Sequence, residues 1–267
     1  MDQSPLTKID KVRDALRDRS VLVAFSGGVD SSTLALIAKD VASRVVLLTV
    51  NTATIGEGEL EVAKRVASEL ELEHHVIWYD WLAESELANN SRDRCYQCKK
   101  KLASVWIEEA EKRGFEMVVE GTTASDIAGH RPGLRALEET GVHSPLLNAG
   151  LLKEEIRAFA SEMDLSVSDS ASMACLATRF PYDMKITSEM LEMVTTLENF
   201  ARIHFGVRSV RARYHGNLVR IEVGRDERSK LFDEEKLDRF HQFANEVGFT
   251  FVTLDAYGYR TGAMDEV

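Results

Sequence analysis

Residues 21–32 read VLVAFSGGVDSS, and this stretch decides the fold. Residues 21–25 form an apolar run that predicts a buried strand, while residues 31–41 have the apolar period of a helix. The two glycines between them let the backbone turn tightly and approach an anion closely. Backbone N–H groups and the helix N-terminus then face that anion, so the stretch predicts a phosphate-binding loop rather than a plain strand–turn–helix connection.

The side chains of this loop add further groups suited to a phosphate. The serine hydroxyls are hydrogen-bond donors, and Asp30 is suited either to capping the helix or to holding Mg²⁺ near a phosphate. The segment lacks the Lys-Ser/Thr ending of a Walker loop. The predicted phosphate-binding residues are Ser26, Gly27, Gly28, Val29, Asp30, Ser31 and Ser32.

Apolar runs and amphipathic helices alternate along the first two-thirds of the chain. Further strands are predicted at residues 45–50, 75–78 and 117–119, and further helices at residues 58–72, 94–113 and 152–163. This alternation predicts βαβ units and therefore an α/β fold with a doubly wound, mostly parallel sheet. Ligands of such sheets bind beyond the carboxyl ends of the strands, so the loops after the strands form the functional edge.

The last third of the chain has a different pattern. Its predicted elements are a helix at 187–204, a hairpin of strands at 207–214 and 218–223, a helix at 234–247 and a strand at 251–254. We therefore expect an α/β nucleotide-binding domain in residues 1–183 and a smaller α+β domain in residues 184–267.

Composition excludes several classes of protein. The 267 residues are 44% hydrophobic and 29% charged with only 4 prolines, which indicates a soluble globular chain rather than a disordered one. A net charge of −11 disfavours a broad nucleic-acid-binding surface. Because there is no apolar run of about 18 residues and the N-terminus is too charged for a signal peptide, we expect a cytoplasmic protein without a membrane partner.

The three cysteines leave four interpretations open. Cys95 and Cys98 form a C-x-x-C pair in a basic segment, and Cys175 stands alone in a predicted loop. They could be inert thiols, a redox pair, part of a zinc site, or the ligands of an iron–sulfur cluster with one open iron. A zinc site needs a fourth ligand, and the histidines available for it have no telling spacing: His74, His75, His130 and His143.

The phosphate-binding loop resembles the S-G-G-x-D-S loop of the PP-loop, or N-type, ATP pyrophosphatases. Four segments together resemble the LarE-type ATP-dependent sulfur transferases within that superfamily. They are SGGVDSS (26–32), EGTTASD (120–126), ACLATRFPY (174–182) and DAYGYRTGAMDE (255–266), the last departing from the pattern by an alanine at position 263.

The resemblance implies a reaction and its partners. MgATP would adenylate a carboxylate of pyridinium-3,5-biscarboxylic acid mononucleotide, and sulfur would replace AMP, on the way to a nickel-pincer nucleotide. One branch of the family gives up the sulfur of a single cysteine, and another holds a [4Fe-4S] cluster with three cysteines. With three cysteines, this chain fits the second branch, which also implies sulfide or another sulfur donor, a downstream nickel-insertion protein and a homo-oligomer, a hexamer in the family.

The resemblance also assigns roles to residues. The glycine-rich loop would hold pyrophosphate, with Asp30 and Glu120 as Mg²⁺ ligands, and Asn51 and Gly121 would contact the nucleotide. Cys95, Cys98 and Cys175 would hold the cluster. The substrate phosphate would be bound by Arg179, Arg211 and Arg213.

Two other functions remain open from the sequence. A tRNA thiolase of the PP-loop class also joins such a loop to a three-cysteine cluster, although the net charge of −11 counts against it. A nucleotide-binding module with a structural zinc is the other alternative.

Overall fold

Four parallel strands form the sheet that contains the predicted phosphate-binding segment. The computed structural model describes residues 4–127, 132–170, 174–260 and 264. The strand order is β3-β2-β1-β4, so β1 lies inside the sheet. The strands are β1 (Ser20–Ala24), β2 (Arg44–Asn51), β3 (His74–Trp78) and β4 (Met117–Glu120).

Helices cover both faces of this sheet. In the described residues the helices are α1 (Pro5–Leu16), α2 (Val29–Val41), α3 (Glu59–Glu69), α4 (Ser85–Ala88), α5 (Arg94–Arg113), α6 (Pro132–Thr140), α7 (Pro145–Asn148), α8 (Lys153–Glu162), α9 (Ser188–Phe205) and α10 (Glu234–Val247). Successive side chains of β1 point to opposite faces. Val21 and Val23 join a core with α1, α2, α3 and α8, while Leu22 and Ala24 join a second core with α5 and α6.

A second sheet forms from the last third of the chain. Its strands are β5 (Val210–His215), β6 (Leu218–Val223) and β7 (Phe251–Leu254), in the order β5-β6-β7. β5 and β6 form the predicted antiparallel hairpin, and β7 adds to β6 in parallel. Helix α9 packs on β5 and on α10.

The described residues group into two compact units. One consists of Met1–Thr52, Gly58–Tyr79 and Asp93–Met173, and the other of Ala53–Glu57, Asp80–Arg92 and Ala174–Val267. The second unit therefore includes two short segments from the first half of the chain. The domain boundary expected between residues 183 and 184 stays a prediction, because compactness alone does not define where a domain folds independently.

The predicted fold class is confirmed: a doubly wound parallel sheet and a smaller mixed sheet near the C-terminus. Helix α2 begins at Val29, two residues before the predicted start, because Gly28 is already its N-cap. Helix α1 was not predicted, although Ser4 caps it and Pro5 occupies its first position. Two sequence features lie outside the described residues: His130 and most of the segment at 261–267. Every described helix is too short or too polar to cross a membrane.

A buried hydrogen-bond chain supports the end of β1. Thr49 of β2 donates its hydroxyl proton to the carbonyl oxygen of Phe25 at 2.7 Å, and its oxygen lies 2.8 Å from Nε2 of His74. Since the hydroxyl has one proton, Nε2–H of His74 is the donor in the second bond. Burial lowers the pKa of His74, so the ring is neutral near pH 7. The chain anchors the backbone immediately before the phosphate-binding loop.

We expect Thr49→Val to lower the free energy of unfolding by about 1–3 kcal/mol, because valine fills the space but leaves the buried carbonyl oxygen of Phe25 and the half-buried Nε2–H of His74 without this partner. Urea unfolding measures this difference. Thr253→Val is the matched control, because its hydroxyl is exposed and water replaces its 3.4 Å hydrogen bond. Equal effects of the two substitutions would show that the buried chain adds nothing to stability.

Candidate functional site

The predicted phosphate-binding loop lies directly after β1 and leads into α2. The backbone N–H of Ser26 donates to Oγ of Ser31 at 3.3 Å, and the backbone N–H of Gly28 donates to Oγ of Ser26 at 3.2 Å. Oγ of Ser31 donates to the carbonyl oxygen of Gly28, also at 3.2 Å. The loop is therefore shaped by its own serines, and the 13-residue helix α2 directs its positive end toward it.

Two glycines allow other segments to pack against this loop. Gly27 has φ +76°, and a Cβ there would lie 2.5 Å from Cα of Ala63 in α3. A Cβ on Gly121, which follows β4, would lie 2.9 Å from the backbone nitrogen of Ser31. Both positions therefore exclude any larger residue, and the loop after β4 is brought against the first turn of α2.

Asp30 is held by Lys153, a residue that the sequence analysis missed. The ammonium of Lys153, the first residue of α8, donates to Oδ2 of Asp30, and the backbone N–H of Lys153 donates to Oγ of Ser125 at 2.9 Å. The other oxygen of Asp30, Oδ1, is buried and has no hydrogen-bond partner among the described residues. Burial raises the pKa of Asp30, and the hydrogen bond from Lys153 opposes that rise. A cation at the first position of a helix is unfavourable to the helix dipole. The position of Lys153 at the start of a predicted helix was therefore the one hint in the sequence that this side chain has another role.

Glu120, the last residue of β4, is buried and accepts several hydrogen bonds. Oε1 accepts from the backbone N–H of Thr122 at 3.0 Å and from the hydroxyl of Ser144 at 2.5 Å, and Oε2 accepts from the hydroxyl of Thr122 at 2.7 Å. The ammonium of Lys99 lies 3.7 Å from Oε2. Both carboxylate oxygens are thus already engaged.

The carboxyl ends of β1, β2 and β4 bring the predicted nucleotide residues to one edge of the sheet. Asn51 ends β2, where its carbonyl oxygen accepts the backbone N–H of Tyr79 at 2.9 Å. Glu120 and Gly121 lie at the end of β4, next to the loop after β1. The structure therefore groups the residues predicted for ATP at the edge where parallel sheets bind ligands.

Cys95 and Cys98 lie on one face of the first turns of α5. Cys95 is exposed and Cys98 is half-buried, and both are present as thiols. The guanidinium of Arg94 donates to Sγ of Cys95 at 3.4 Å. The hydroxyl of Tyr96 donates to Glu139 of α6 and so ties these turns to the neighbouring helix.

Cys175 lies in the second unit, immediately before a 3₁₀ turn at Leu176–Arg179. Its thiol is exposed. Its carbonyl oxygen accepts from the hydroxyl of Thr178 at 2.8 Å and from the guanidinium of Arg179 at 3.3 Å. The backbone that presents this thiol is therefore fixed by side chains of its own turn.

The three predicted phosphate-binding arginines are buried in the second unit. Arg179 makes a bidentate pair with Glu198 at 2.7 and 3.0 Å, and Arg213 donates twice to one oxygen of Glu222 at 3.0 and 2.8 Å. The guanidinium of Arg211 lies 4.9 Å from the ring centre of Tyr259. Burial lowers the pKa of Arg211, and the charge of Arg179 adds to that effect. The three arginines thus share a buried region with two carboxylates.

We expect Arg179→Met to lower the free energy of unfolding by about 3–5 kcal/mol, because it leaves the carboxylate of Glu198 buried without its cation. Arg208→Met, at a pair whose arginine side chain is 81% exposed, should change stability by about 0.5 kcal/mol or less. Thermal unfolding of both variants tests the contrast. If both substitutions change stability by a similarly small amount, Arg179 does not stabilise the unit.

The described residues contain no group of three or more histidine, cysteine, aspartate or glutamate side chains that could hold a metal ion. The donor types nevertheless suit two metal groups. The buried, unpartnered Oδ1 of Asp30 is a hard oxygen ligand of the kind that Mg²⁺ prefers. The thiols of the C-x-x-C pair are the donors that iron–sulfur clusters use.

Comparison with known proteins supports a nucleotide-using enzyme. Residues 20–109 match the model of the family described as queuosine biosynthesis protein QueC. A glutamine-hydrolysing GMP synthase polypeptide of Pyrococcus horikoshii is 28% identical to this chain over 169 residues, covering 59% of this chain and 55% of that polypeptide. The QueC match includes the phosphate-binding loop and the strands around it.

Several relatives match nearly the whole chain. An uncharacterized protein of Synechocystis sp. is 33% identical over 247 residues, 92% of each chain. The pyridinium-3,5-bisthiocarboxylic acid mononucleotide synthase of Lactiplantibacillus plantarum is 32% identical over 257 residues, 94% of this chain and 91% of the synthase. With its phosphate-binding loop in a doubly wound sheet, this chain belongs to the LarE-type family of PP-loop ATP-dependent sulfur transferases, the family of that synthase.

Proposed function

We propose that this chain makes a thiocarboxylate from a carboxylate of pyridinium-3,5-biscarboxylic acid mononucleotide. The observation that carries the proposal is the similarity, over nearly its whole length, to a pyridinium-3,5-bisthiocarboxylic acid mononucleotide synthase. The phosphate-binding loop at the carboxyl edge of the sheet supports the use of ATP in this reaction.

The proposed reaction has two steps. A carboxylate oxygen of the substrate attacks the α-phosphorus of ATP, the bond from that phosphorus to the bridging oxygen breaks, and pyrophosphate leaves. A sulfur nucleophile then attacks the acyl carbon, and AMP leaves with the electron pair of the acyl–oxygen bond. The product is a thiocarboxylate, and a second round on the other carboxylate gives the bisthiocarboxylate.

The first step uses the loop at the end of β1. The backbone N–H groups and hydroxyls of residues 26–32 would bind the pyrophosphate part of ATP, and the positive end of α2 stabilises its negative charge. Asp30 would supply an oxygen to Mg²⁺, for which its unpartnered Oδ1 is suited. Because both oxygens of Glu120 already accept hydrogen bonds, we propose a positioning role for Glu120 rather than that of a Mg²⁺ ligand.

The arginines of the second unit would bind the phosphate of the mononucleotide. Arg179, Arg211 and Arg213 are buried together with Glu198 and Glu222. Guanidinium groups are well matched to phosphate oxygens, because they present several N–H donors in a planar fork. Removing Arg211 should therefore weaken binding of the mononucleotide more than binding of ATP.

The second step needs a source of sulfur. Cys95, Cys98 and Cys175 would hold a [4Fe-4S] cluster, which when bound supplies an open iron position for a sulfide ligand. Arg94, whose guanidinium contacts Sγ of Cys95, would help to orient the first of these thiols. We further propose that sulfide or another sulfur donor supplies the site, that a nickel-insertion protein takes the product, and that the protein works as a homo-oligomer in the cytoplasm.

The experiment that tests the function measures exchange of pyrophosphate into ATP by the purified protein, with and without the pyridinium dicarboxylate mononucleotide. Exchange that depends on this acid would support the proposal. Exchange that instead depends on tRNA would favour the tRNA thiolase, and zinc at one per chain with no exchange would favour the nucleotide-binding module.

The source of sulfur is tested separately after anaerobic reconstitution. About four irons and matching sulfide per chain would support the cluster. The absence of iron, together with a loss of mass equal to H₂S at Cys175 after turnover, would instead mean that the protein gives up its own cysteine sulfur.

A further inference from the structure

Lys99 connects the helix of the C-x-x-C pair to the edge that carries the phosphate-binding loop. It follows Cys98 directly in α5. Its ammonium lies 3.7 Å from Oε2 of Glu120, the residue before Gly121, and Gly121 packs against the backbone of Ser31. All of these residues belong to the first unit. Lys99 is therefore a cation of α5 that reaches the carboxyl edge of the sheet.

Two neighbours attract the ammonium of Lys99, but neither accepts a hydrogen bond from it. At 3.7 Å the contact with Glu120 is an ion pair longer than a hydrogen bond. The ammonium also lies 5.5 Å from the ring centre of Trp106, further along the same helix, a distance at which the ring attracts a cation. Within the part of the chain that the structure describes, Lys99 donates no hydrogen bond, and its side chain is 32% exposed.

The carboxylate of Glu120 does not need Lys99 for its own hydrogen bonds. Thr122 and Ser144 already donate three times to its two oxygens. The charge of Glu120 thus attracts the ammonium of Lys99 to the strand edge, and no described residue accepts a hydrogen bond from its three N–H groups. This arrangement is that of a positioned cation that can donate to an anionic oxygen from solution.

We propose that Lys99 binds the substrate carboxylate that ATP activates, an assignment that rests on the proposed function. The loop after β1 has its own backbone donors for phosphate, and Lys153 there pairs with Asp30. Lys99 is instead the cation beside Glu120, on the helix that also carries two of the three thiols. A carboxylate bound by Lys99 would lie at the edge of the sheet that carries the phosphate-binding loop, within the first unit.

The neighbouring Lys100 provides a matched control. Its ammonium lies 3.6 Å from Glu139 of α6 and donates to the hydroxyl of Tyr96 at 3.4 Å. Lys100 is thus a lysine of the same helix whose ammonium contacts α6 and Tyr96 instead of Glu120. Lys99→Gln keeps most of the length of the side chain and leaves the three hydrogen bonds of Glu120 in place, so folding is expected to survive.

The test is pyrophosphate exchange into ATP by the full chain, with the pyridinium dicarboxylate mononucleotide and ATP varied in turn. We expect Lys99→Gln to raise KM for the acid about 10- to 100-fold, the value of a hydrogen bond to a charged group, while KM for ATP changes about twofold or less. Lys99→Arg should recover part of the affinity for the acid, and Lys100→Gln should match the wild type.

Three results would overturn the assignment. If the wild type shows acid-dependent exchange and Lys99→Gln has the same KM for the acid, Lys99 does not bind the carboxylate, although the proposed function stands. If Lys99→Gln raises only KM for ATP, Lys99 belongs to the nucleotide site. If the wild type shows no acid-dependent exchange, the proposed function fails and this assignment fails with it.

Discussion

Cys175→Ser should abolish sulfur transfer while leaving acid-dependent pyrophosphate exchange at the level of the wild type. Adenylation uses the loop after β1, whereas Cys175 belongs to the sulfur step. Loss of a group that the sulfur step requires should slow turnover about 1,000-fold or more. Because the thiol is exposed, serine should cost little stability. The measurements are thiocarboxylate formation by mass spectrometry and exchange on the same preparation.

Comparison with Cys95→Ser separates the two sulfur mechanisms. If three cysteines hold a cluster, Cys95→Ser and Cys175→Ser should both lose transfer and both retain fewer irons after reconstitution. If Cys175 gives up its own sulfur, only Cys175→Ser should lose transfer. A Cys175→Ser variant that turns over normally would contradict both mechanisms.

Asp30→Asn should abolish pyrophosphate exchange without lowering stability at pH 7. Asparagine cannot supply the charge that we propose for holding Mg²⁺ at the phosphates, and loss of such electrostatic stabilisation should slow exchange about 100-fold or more. Asp40→Asn, at an exposed position of the same helix, is the matched control and should exchange like the wild type.

The effect on stability follows from the direction of the pKa shift. Burial raises the pKa of Asp30 above the ordinary aspartate value. The folded state then holds this proton more tightly than the unfolded state, so stability falls as pH rises from the ordinary value through the raised one. The amide of the Asp30→Asn variant does not titrate, so the variant should unfold at a temperature equal to or above that of the wild type at pH 7. The difference in unfolding temperature, variant minus wild type, should therefore rise from pH 4 to pH 7. A difference that falls over this range would contradict the account.

The phosphate-binding loop could be predicted because its signal is local. The apolar run before Ser26, the glycines and the helical period after Asp30 lie within one short stretch, and the fold class followed from repetition of that pattern. Lys153 could not be paired with Asp30 in the same way, since 123 residues separate them and only the packing of α8 against α2 brings them together.

The arginines illustrate a different limit. The family resemblance pointed to Arg179, Arg211 and Arg213, but it could not show that Glu222 on the adjacent strand pairs with Arg213 or that Glu198 of α9 pairs with Arg179. Sequence patterns thus identified the basic side chains and left out the acids that hold them. The acidic neighbour of Lys99 could not be predicted either, because Glu120 belongs to a strand 21 residues further along the chain.

The order of strands in the first sheet has a consequence for how the protein is made. β1 pairs on one side with β2, which follows it closely, but on the other side with β4, where Val21 lies beside Met117. The pairing with β4 is therefore of high contact order, and such contacts form late because a long loop must close first. During synthesis, Asp30 can meet Lys153 only after α8 has emerged from the ribosome. The nucleotide site is thus completed after most of the first unit has been translated. A chain interrupted before Met117 would lack β4 and would expose the edge of β1 to chaperones and proteases.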